Sequence, residues 1–185
     1  SLSDLLKREI TLPFKKAIKI QTDFLKGLAK AHSSSIIHRD INPDNILLSY
    51  DNTELKGLLS DFGLAQKVTN LEKISNAAGR YLYFAPECFS DIYLPTSDVF
   101  SAGIVFYRML TGKSPWELEL TNFNDFSEVT KSIIISRRKK PLAPSFFNNE
   151  ISKDIDKVVL TSLELNIENR YKSGTDFLAA INKVI

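Results

Sequence analysis

The sequence predicts a mainly helical domain that carries one small β-hairpin. Residues 13–33 place apolar side chains at steps of three and four, the spacing of one face of an α-helix. Residues 96–110 are apolar on nearly all sides, which is typical of a helix buried in a core. Between these helices, two short apolar runs at 46–48 and 55–59 flank the turn-forming residues 50–53, so a hairpin is expected there.

The remaining elements are predicted from shorter patterns and from residues that begin or end helices. Pro13 suits the first turn of a helix, because its missing N–H would have no partner there. Gly112 follows the apolar helix at the place where a C-terminal glycine cap is expected. Residues 60–95 are expected to be irregular. The other helices are predicted at 1–10, 124–136, 152–165 and 173–185.

Length, charge and composition limit the class of protein. The length of 185 residues fits one domain. Hydrophobic residues make up 43% of the chain and charged residues 25%, which are ordinary fractions for a globular protein. The 24 basic and 22 acidic residues leave a net charge of +2, too balanced to indicate nucleic-acid binding. The single cysteine, Cys88, excludes an internal disulfide framework and fits a reducing, cytoplasmic location. No apolar run approaches the roughly 18 residues of a membrane span, so none is expected.

Three short strings in the first half of the chain carry the chemistry. They are His38-Arg39-Asp40-Ile41-Asn42-Pro43-Asp44-Asn45, Asp61-Phe62-Gly63 and Ala85-Pro86-Glu87. In this order they resemble the catalytic loop, the metal-binding motif and the end of the activation segment of eukaryotic-type protein kinases. The resemblance continues at residues 98–103 and 110–116 and at Arg170, so it covers nearly the whole chain.

The resemblance implies a site that transfers the γ-phosphoryl group of ATP to a protein hydroxyl. Asp40 is expected to orient that hydroxyl and to accept its proton. Asn45 and Asp61 are expected to bind Mg²⁺, which prefers hard oxygen ligands. Leu47 is expected to form the floor beneath the adenine ring. ATP and Mg²⁺ are therefore the implied cofactors, and a protein is the implied substrate.

Other motif residues are assigned structural roles by the same resemblance. His38 is expected to stack beside Phe62 as a packed ring, and its alternative role is that of a base. Glu87 and Arg170 are expected to form a buried ion pair, since a guanidinium can donate two parallel hydrogen bonds to a carboxylate. Asp98 is expected to hold the backbone of the catalytic loop.

Several polar residues have more than one interpretation. Arg39 is expected to pair with a phosphate on the activation segment, and Ser75 and then Thr69 are the candidate phosphosites. The alternative is that both hydroxyls are exposed and have no role. His32 is expected at the surface or at a helix terminus. The basic run at residues 137–140 is expected to be a solvated face, with binding of an acidic partner as the alternative.

The catalytic loop departs from the family pattern at one position. Serine/threonine kinases usually carry a lysine two residues after the catalytic aspartate, and this chain has Asn42 there. Tyrosine kinases place an arginine two or four residues after it, and the second position here is Asp44. Arg80 stands where the family has a threonine close to that aspartate. Three roles are open for Arg80: supply of the missing cation, an ion pair with Asp40, or exposure to solvent.

The second departure concerns the lobe that covers the phosphates in a whole kinase. Neither its glycine-rich loop nor its strand lysine is found before His38. We expect residues 1–185 to be the C-terminal lobe, without the N-terminal β lobe as its partner. It would comprise the catalytic loop 38–45, the activation segment 61–87 and the late helices 96–185. Because ATP binds between the two lobes, this lobe alone is expected to be nearly inactive.

The sequence leaves three functions open. The proline-bearing loop that begins at Ile41 favours a serine/threonine protein kinase. The alternative is a pseudokinase that acts as a scaffold: Asn42 favours it, whereas the intact Asp40, Asn45 and Asp61 oppose it. A kinase-like phosphotransferase for small molecules is the third possibility, and the long activation segment counts against it because such a segment shapes a peptide-docking surface.

Overall fold

The computed structural model describes residues 1–52, 54–62, 79–118 and 125–185 and has the predicted mainly helical fold with one hairpin. The helices are α1 (Leu2–Arg8), α2 (Phe14–Ser33), α3 (Pro95–Thr111), α4 (Phe126–Ser136), α5 (Lys153–Ser162) and α6 (Gly174–Asn182). The antiparallel strands are β1 (Ile46–Asp51) and β2 (Glu54–Leu59). Short 3₁₀ helices lie at Pro43–Asn45, Pro86–Ser90, Pro144–Phe146 and Ile167–Asn169.

Helix α3 is the centre of the core. All of its residues are buried except Pro95 and Arg108, as the apolar sequence predicts. The helix stops at Gly112, whose φ of 70° is the left-handed conformation that favours glycine. Helices α2, α5 and α6 pack against α3 and enclose it. This rigid centre matters for the site, because Asp98 projects from the first turn of α3.

Helix α2 connects the core with the hairpin. Pro13 stands one position before the first helical residue, close to the predicted place. The buried face of α2 includes Ile20, Phe24 and Leu28, and both β2 and α6 pack against the helix. The hairpin pairs Ile46 with Leu59 and so begins directly after the predicted catalytic loop. The position of the loop is therefore fixed by the hairpin on one side.

Helix ends differ from the prediction by a few residues. Helix α5 ends at Ser162, three residues before the predicted end at 165; Leu163, which follows it, is buried but not helical. Helix α4 begins after Asp125, whose carboxylate accepts hydrogen bonds from two backbone N–H groups of the first turn. Residue 124, where that helix was predicted to begin, lies outside the described residues. Within the part of the chain that the structure describes, no helix is long and apolar enough to cross a bilayer.

Two glycines, Gly27 in α2 and Gly57 in β2, should respond oppositely to alanine. A Cβ atom on Gly57 would lie 2.8 Å from the carbonyl oxygen of Ile20, so Gly57→Ala should lower the free energy of unfolding by about 1–3 kcal/mol. Gly27 is exposed in α2 and would meet only Leu59 Cβ at 3.8 Å. Gly27→Ala should therefore raise that free energy by about 0.5–1 kcal/mol. Urea denaturation measures both; equal stability of the two variants would contradict the close packing of β2 on α2.

Candidate active site

Asn42 organises the catalytic loop from within. Its Oδ1 accepts a hydrogen bond from the backbone N–H of Asp44 at 2.9 Å and so caps the 3₁₀ helix Pro43–Asn45. Its Nδ2 donates to the backbone oxygen of Asp40 at 3.1 Å and to Oδ1 of the same residue at 2.9 Å. The side chain is 2% exposed and fully engaged. The residue that replaces the family's lysine is thus a structural element of the loop.

The carboxylate of Asp40 is oriented by two amides and one cation. Oδ1 accepts from Asn42, and Oδ2 accepts from Asn45 Nδ2 at 2.9 Å. Arg80 places Nη1 3.0 Å from the same Oδ2. Of the three alternatives for Arg80, the structure shows the ion pair with Asp40. The side chain of Asp40 remains 16% exposed, so an incoming hydroxyl group can reach it.

His38 is held as a packed, neutral ring. Its Nε2 lies 2.7 Å from the carbonyl oxygen of Ser60, and its Nδ1 accepts from the backbone N–H of Asp40 at 3.3 Å. A carbonyl can only accept, so Nε2 carries the proton and Nδ1 does not. The ring is buried and meets Phe62 edge-on, with 4.8 Å between centroids. Both nitrogens are occupied, which favours the structural role over that of a base.

Ser60 connects the catalytic loop with the metal-binding motif, and sequence reasoning missed it. Its backbone N–H and its hydroxyl both donate to the carbonyl oxygen of Asn45 at 3.0 Å. Together with the bond to His38, these contacts fix the residue immediately before Asp61.

Asp61 itself is exposed and has a φ of 61°, which is uncommon for a residue other than glycine. Strained backbone of this kind is often found at functional sites.

Asp98 anchors the catalytic loop to helix α3. Its buried carboxylate accepts the backbone N–H of His38 at 2.7 Å and that of Arg39 at 2.9 Å. The second bond supports Arg39 in a left-handed conformation, with a φ of 70°. These are the contacts that the resemblance implies for Asp98.

His32 corrects the expectation of a surface residue. It does lie at the end of α2, but its side chain is only 2% exposed. Nε2 lies 3.0 Å from Asp98 Oδ2, and Nδ1 accepts from the backbone N–H of Gly174 at 3.0 Å. Because Nδ1 accepts, Nε2 is the donor to Asp98. The ring therefore joins α2, α3 and α6 directly behind the catalytic loop.

The oxygens that remain free near the loop suit magnesium. Asn45 uses Nδ2 to bond Asp40, and among the described residues its Oδ1 has no hydrogen-bond donor. Asp61 likewise has an exposed carboxylate. One amide oxygen and one carboxylate are hard ligands, and Mg²⁺ commonly combines such groups with waters and phosphate oxygens. In the described ranges no cluster of three or more His, Cys, Asp or Glu residues could hold a metal.

Leu47 lies on the outer face of the hairpin. Its side chain is 46% exposed, and its cross-strand partner Leu58 is 49% exposed. The neighbouring Ile46 is fully buried in the core, as the alternation of a strand requires. The result is a small, accessible apolar surface close to the catalytic loop. The role of Leu47 as a floor beneath adenine stays a prediction.

Glu87 and Arg170 form the predicted ion pair. Nη1 and Nη2 of Arg170 lie 2.6 and 3.1 Å from the two carboxylate oxygens, and both side chains are almost completely buried. The other guanidinium N–H groups bond the carbonyls of Thr96, Glu164 and Leu165, so all five donors are used. Burial alone would raise the pKa of Glu87, but hydrogen bonds and the charge of Arg170 outweigh it and hold that pKa below its usual value.

The expectation of a solvated basic face is wrong for Arg137. This residue is 4% exposed, and its guanidinium lies 5.1 to 5.8 Å from the ring centroids of Phe89, Phe100 and Trp116. Nη2 donates to the carbonyl oxygen of Leu82 at 2.9 Å. Burial lowers the pKa of Arg137 to about 9. Residues 138–140 are exposed as expected, so only the first member of the run turns inward.

The activation segment is described only at its two ends. Thr69, Ser75 and Gly63 lie outside the described residues, so the proposed phosphosites stay predictions. Arg39 is exposed, and its guanidinium lies 5.6 Å from the ring centroid of Tyr93. Its expected pairing with a phosphate likewise stays a prediction.

Comparisons with known proteins identify the family of this fold. The protein kinase domain family matches residues 1–179. A probable serine/threonine-protein kinase of Clostridium perfringens is 30% identical over 187 residues, which cover 100% of this chain and 26% of that protein. The serine/threonine-protein kinase PknB of Mycobacterium leprae is 32% identical over 188 residues, which cover 100% of this chain and 28% of that protein.

A solved structure shows the same fold. The crystal structure of the PknI kinase domain of Mycobacterium tuberculosis superposes with a TM-score of 0.68 and 21% sequence identity. The match covers 98% of this chain and 60% of that one. Because the family match spans residues 1–179, the chain belongs to the protein kinase domain family. It spans just over a quarter of the length of the two curated relatives named above.

Proposed function

We propose that residues 1–185 form the C-terminal lobe of a serine/threonine protein kinase that uses ATP and Mg²⁺. The observation that carries the proposal is the Asp40 carboxylate, which Asn42 and Asn45 orient while it stays open to a hydroxyl. Asn45 bonds this carboxylate through Nδ2, and Asp61 directly follows Ser60, which bonds the loop at Asn45 and His38. A phosphoryl acceptor and a metal-bound phosphate could therefore meet at one place. Relatives named as serine/threonine kinases support the choice of substrate hydroxyl.

The residues of this chain suggest the following steps. Asp40 orients the serine or threonine hydroxyl and takes its proton while the hydroxyl oxygen bonds to the γ-phosphorus. The bond between that phosphorus and the bridging oxygen of ADP breaks, and its electron pair stays with ADP. Asn45 and Asp61 would hold Mg²⁺, which would neutralise charge on the phosphates. The exposed apolar surface at Leu47 and Leu58 would support the adenine ring.

The proposed partner of this lobe is an N-terminal lobe that covers the phosphates, and the proposed substrate is a protein. Binding between two lobes excludes water from the reacting groups, and transfer requires the phosphates to be held from both sides. We propose a cytoplasmic location, because ATP is available there and the single, buried cysteine is compatible with reducing conditions.

The two-lobe proposal predicts different activities for two forms of the protein. Full-length protein should transfer phosphate from ATP to a generic protein substrate in the presence of magnesium. The 185 residues alone should be folded but nearly inactive, since they hold the ATP phosphates from one side only. Radiolabelled ATP measures both rates, and circular dichroism confirms folding. A similar rate from the two forms would contradict the requirement for a second lobe.

A pseudokinase scaffold is the second candidate function. Two observations favour it: Asn42 is neutral, and Arg80 lies against the carboxylate that would accept the hydroxyl proton. Magnesium-dependent phosphate transfer by the full-length protein would exclude this candidate. Binding of partner proteins without any transfer would support it.

A further inference from the structure

Arg80 is the charged neighbour of the catalytic carboxylate. Its Nη1 lies 3.0 Å from Asp40 Oδ2, and its side chain is 53% exposed. Within the described parts of the chain, Asp40 is its polar partner. The guanidinium therefore stands on the open side of Asp40, whereas the amides of Asn42 and Asn45 hold the carboxylate from the buried side.

Asn42 cannot supply positive charge to the site. It is neutral, it is 2% exposed, and both its oxygen and its nitrogen are engaged in the loop. Arg39 directly precedes Asp40 in the sequence, but its guanidinium lies over the ring of Tyr93. The charge of Arg80 is therefore the one that the described structure places at the carboxylate.

Phosphoryl transfer needs a cation at this place. Negative charge spreads over the oxygens of the moving phosphoryl group, which must pass close to the carboxylate that orients the hydroxyl. An arginine carries five N–H donors in one plane, so it can contact Asp40 with one edge and phosphoryl oxygens with another.

We propose that Arg80 contacts the phosphoryl group during transfer and supplies the positive charge that Asn42 does not. The inference rests on the proposed kinase function and adds one catalytic residue to it. In this proposal, the ion pair with Asp40 holds the guanidinium beside the place where negative charge develops on the phosphoryl oxygens.

The test compares full-length Arg80→Thr, Arg80→Lys and the control Arg138→Thr with the unchanged protein. Arg138 is an exposed arginine two residues after the end of α4. Arg80→Thr should lower kcat by about 100-fold, the effect of removing one preorganised donor from a transition state. Arg80→Lys should lose less, because it keeps the charge but not the planar fork. Arg138→Thr should leave kcat unchanged.

A binding measurement accompanies the rates. Magnesium ADP with aluminium fluoride resembles the transferring phosphoryl group, whereas magnesium ADP alone does not. Arg80→Thr should weaken binding of the aluminium fluoride complex and leave the affinity for ADP unchanged. An Arg80→Thr variant that transfers phosphate as fast as the unchanged protein, or faster, would overturn this inference and leave the kinase function standing. If the unchanged full-length protein transfers no phosphate, the proposed function fails, and the inference fails with it.

Discussion

Asp40→Asn should lower the rate of phosphoryl transfer by the full-length protein by about 100-fold to 10,000-fold, the usual contribution of a positioned acid or base. Asparagine can replace the shape of the carboxylate but cannot accept the hydroxyl proton. Asn42 and Asn45 both donate to this carboxylate, so an amide there would also disturb its orientation. Single-turnover kinetics would separate this loss from nucleotide binding, which should change little.

Two further variants make that result specific. Asp61→Asn should chiefly raise the magnesium concentration that the reaction requires, because it removes a carboxylate ligand and leaves Asp40 intact. Asp154→Asn is the matched control, since Asp154 is exposed on α5 and remote in sequence from the catalytic loop. Unchanged rates in both Asp40→Asn and Asp61→Asn would show that these residues are not catalytic and would favour the pseudokinase.

Arg170→Leu should lower the free energy of unfolding by about 3–5 kcal/mol, the usual cost of breaking a buried ion pair from one side. The change leaves Glu87 buried without its cation and removes five hydrogen bonds of the guanidinium. Urea denaturation measures the loss. Lys172→Met is the control: it breaks an ion pair with Glu168 in which both side chains are exposed, and such pairs contribute little to stability.

The same pair predicts a pH dependence with a definite sign. The pKa of Glu87 is lower in the folded chain than its ordinary value of 4.5, so the folded state favours the ionised carboxylate. The stabilisation is fully present above the unfolded pKa and is lost as pH falls through the folded pKa. Glu87→Gln should remove this acid-sensitive component of the stability.

If Arg170→Leu and Lys172→Met lose equal stability, the buried pair does not stabilise the junction between the activation segment and the late helices.

Much of the fold could be predicted because its signals are local. The periods of α2 and α3, the turn residues of the hairpin and the glycine after α3 each act within a few residues. The motif order also pointed to Asp40, Asn45 and Asp61. Asn42 could have been recognised as a cap as well, since an asparagine followed by proline is a common start of a short helix. Asn42 was interpreted only as the replacement of a lysine, and its role as a cap was therefore missed.

The sequence did not predict the burial of two polar residues whose partners lie far away along the chain. His32 bonds Asp98 and Gly174, which are 66 and 142 positions away. Arg137 bonds the carbonyl of Leu82, 55 positions away. A histidine at a helix end and an arginine in a basic run have the local sequence of surface residues. Only the tertiary contacts show that both are interior.

The most direct test of the kinase assignment is to identify which amino acids acquire phosphate. Full-length protein and its Asp40→Asn variant would be incubated with magnesium ATP and a mixture of protein substrates, and the phosphorylated sites would be mapped by mass spectrometry. The account predicts new phosphate on serine and threonine with the unchanged protein and almost none with the variant. No new phosphate with the unchanged protein, or the same sites with both proteins, would contradict the assignment of Asp40 as the catalytic residue of a serine/threonine kinase.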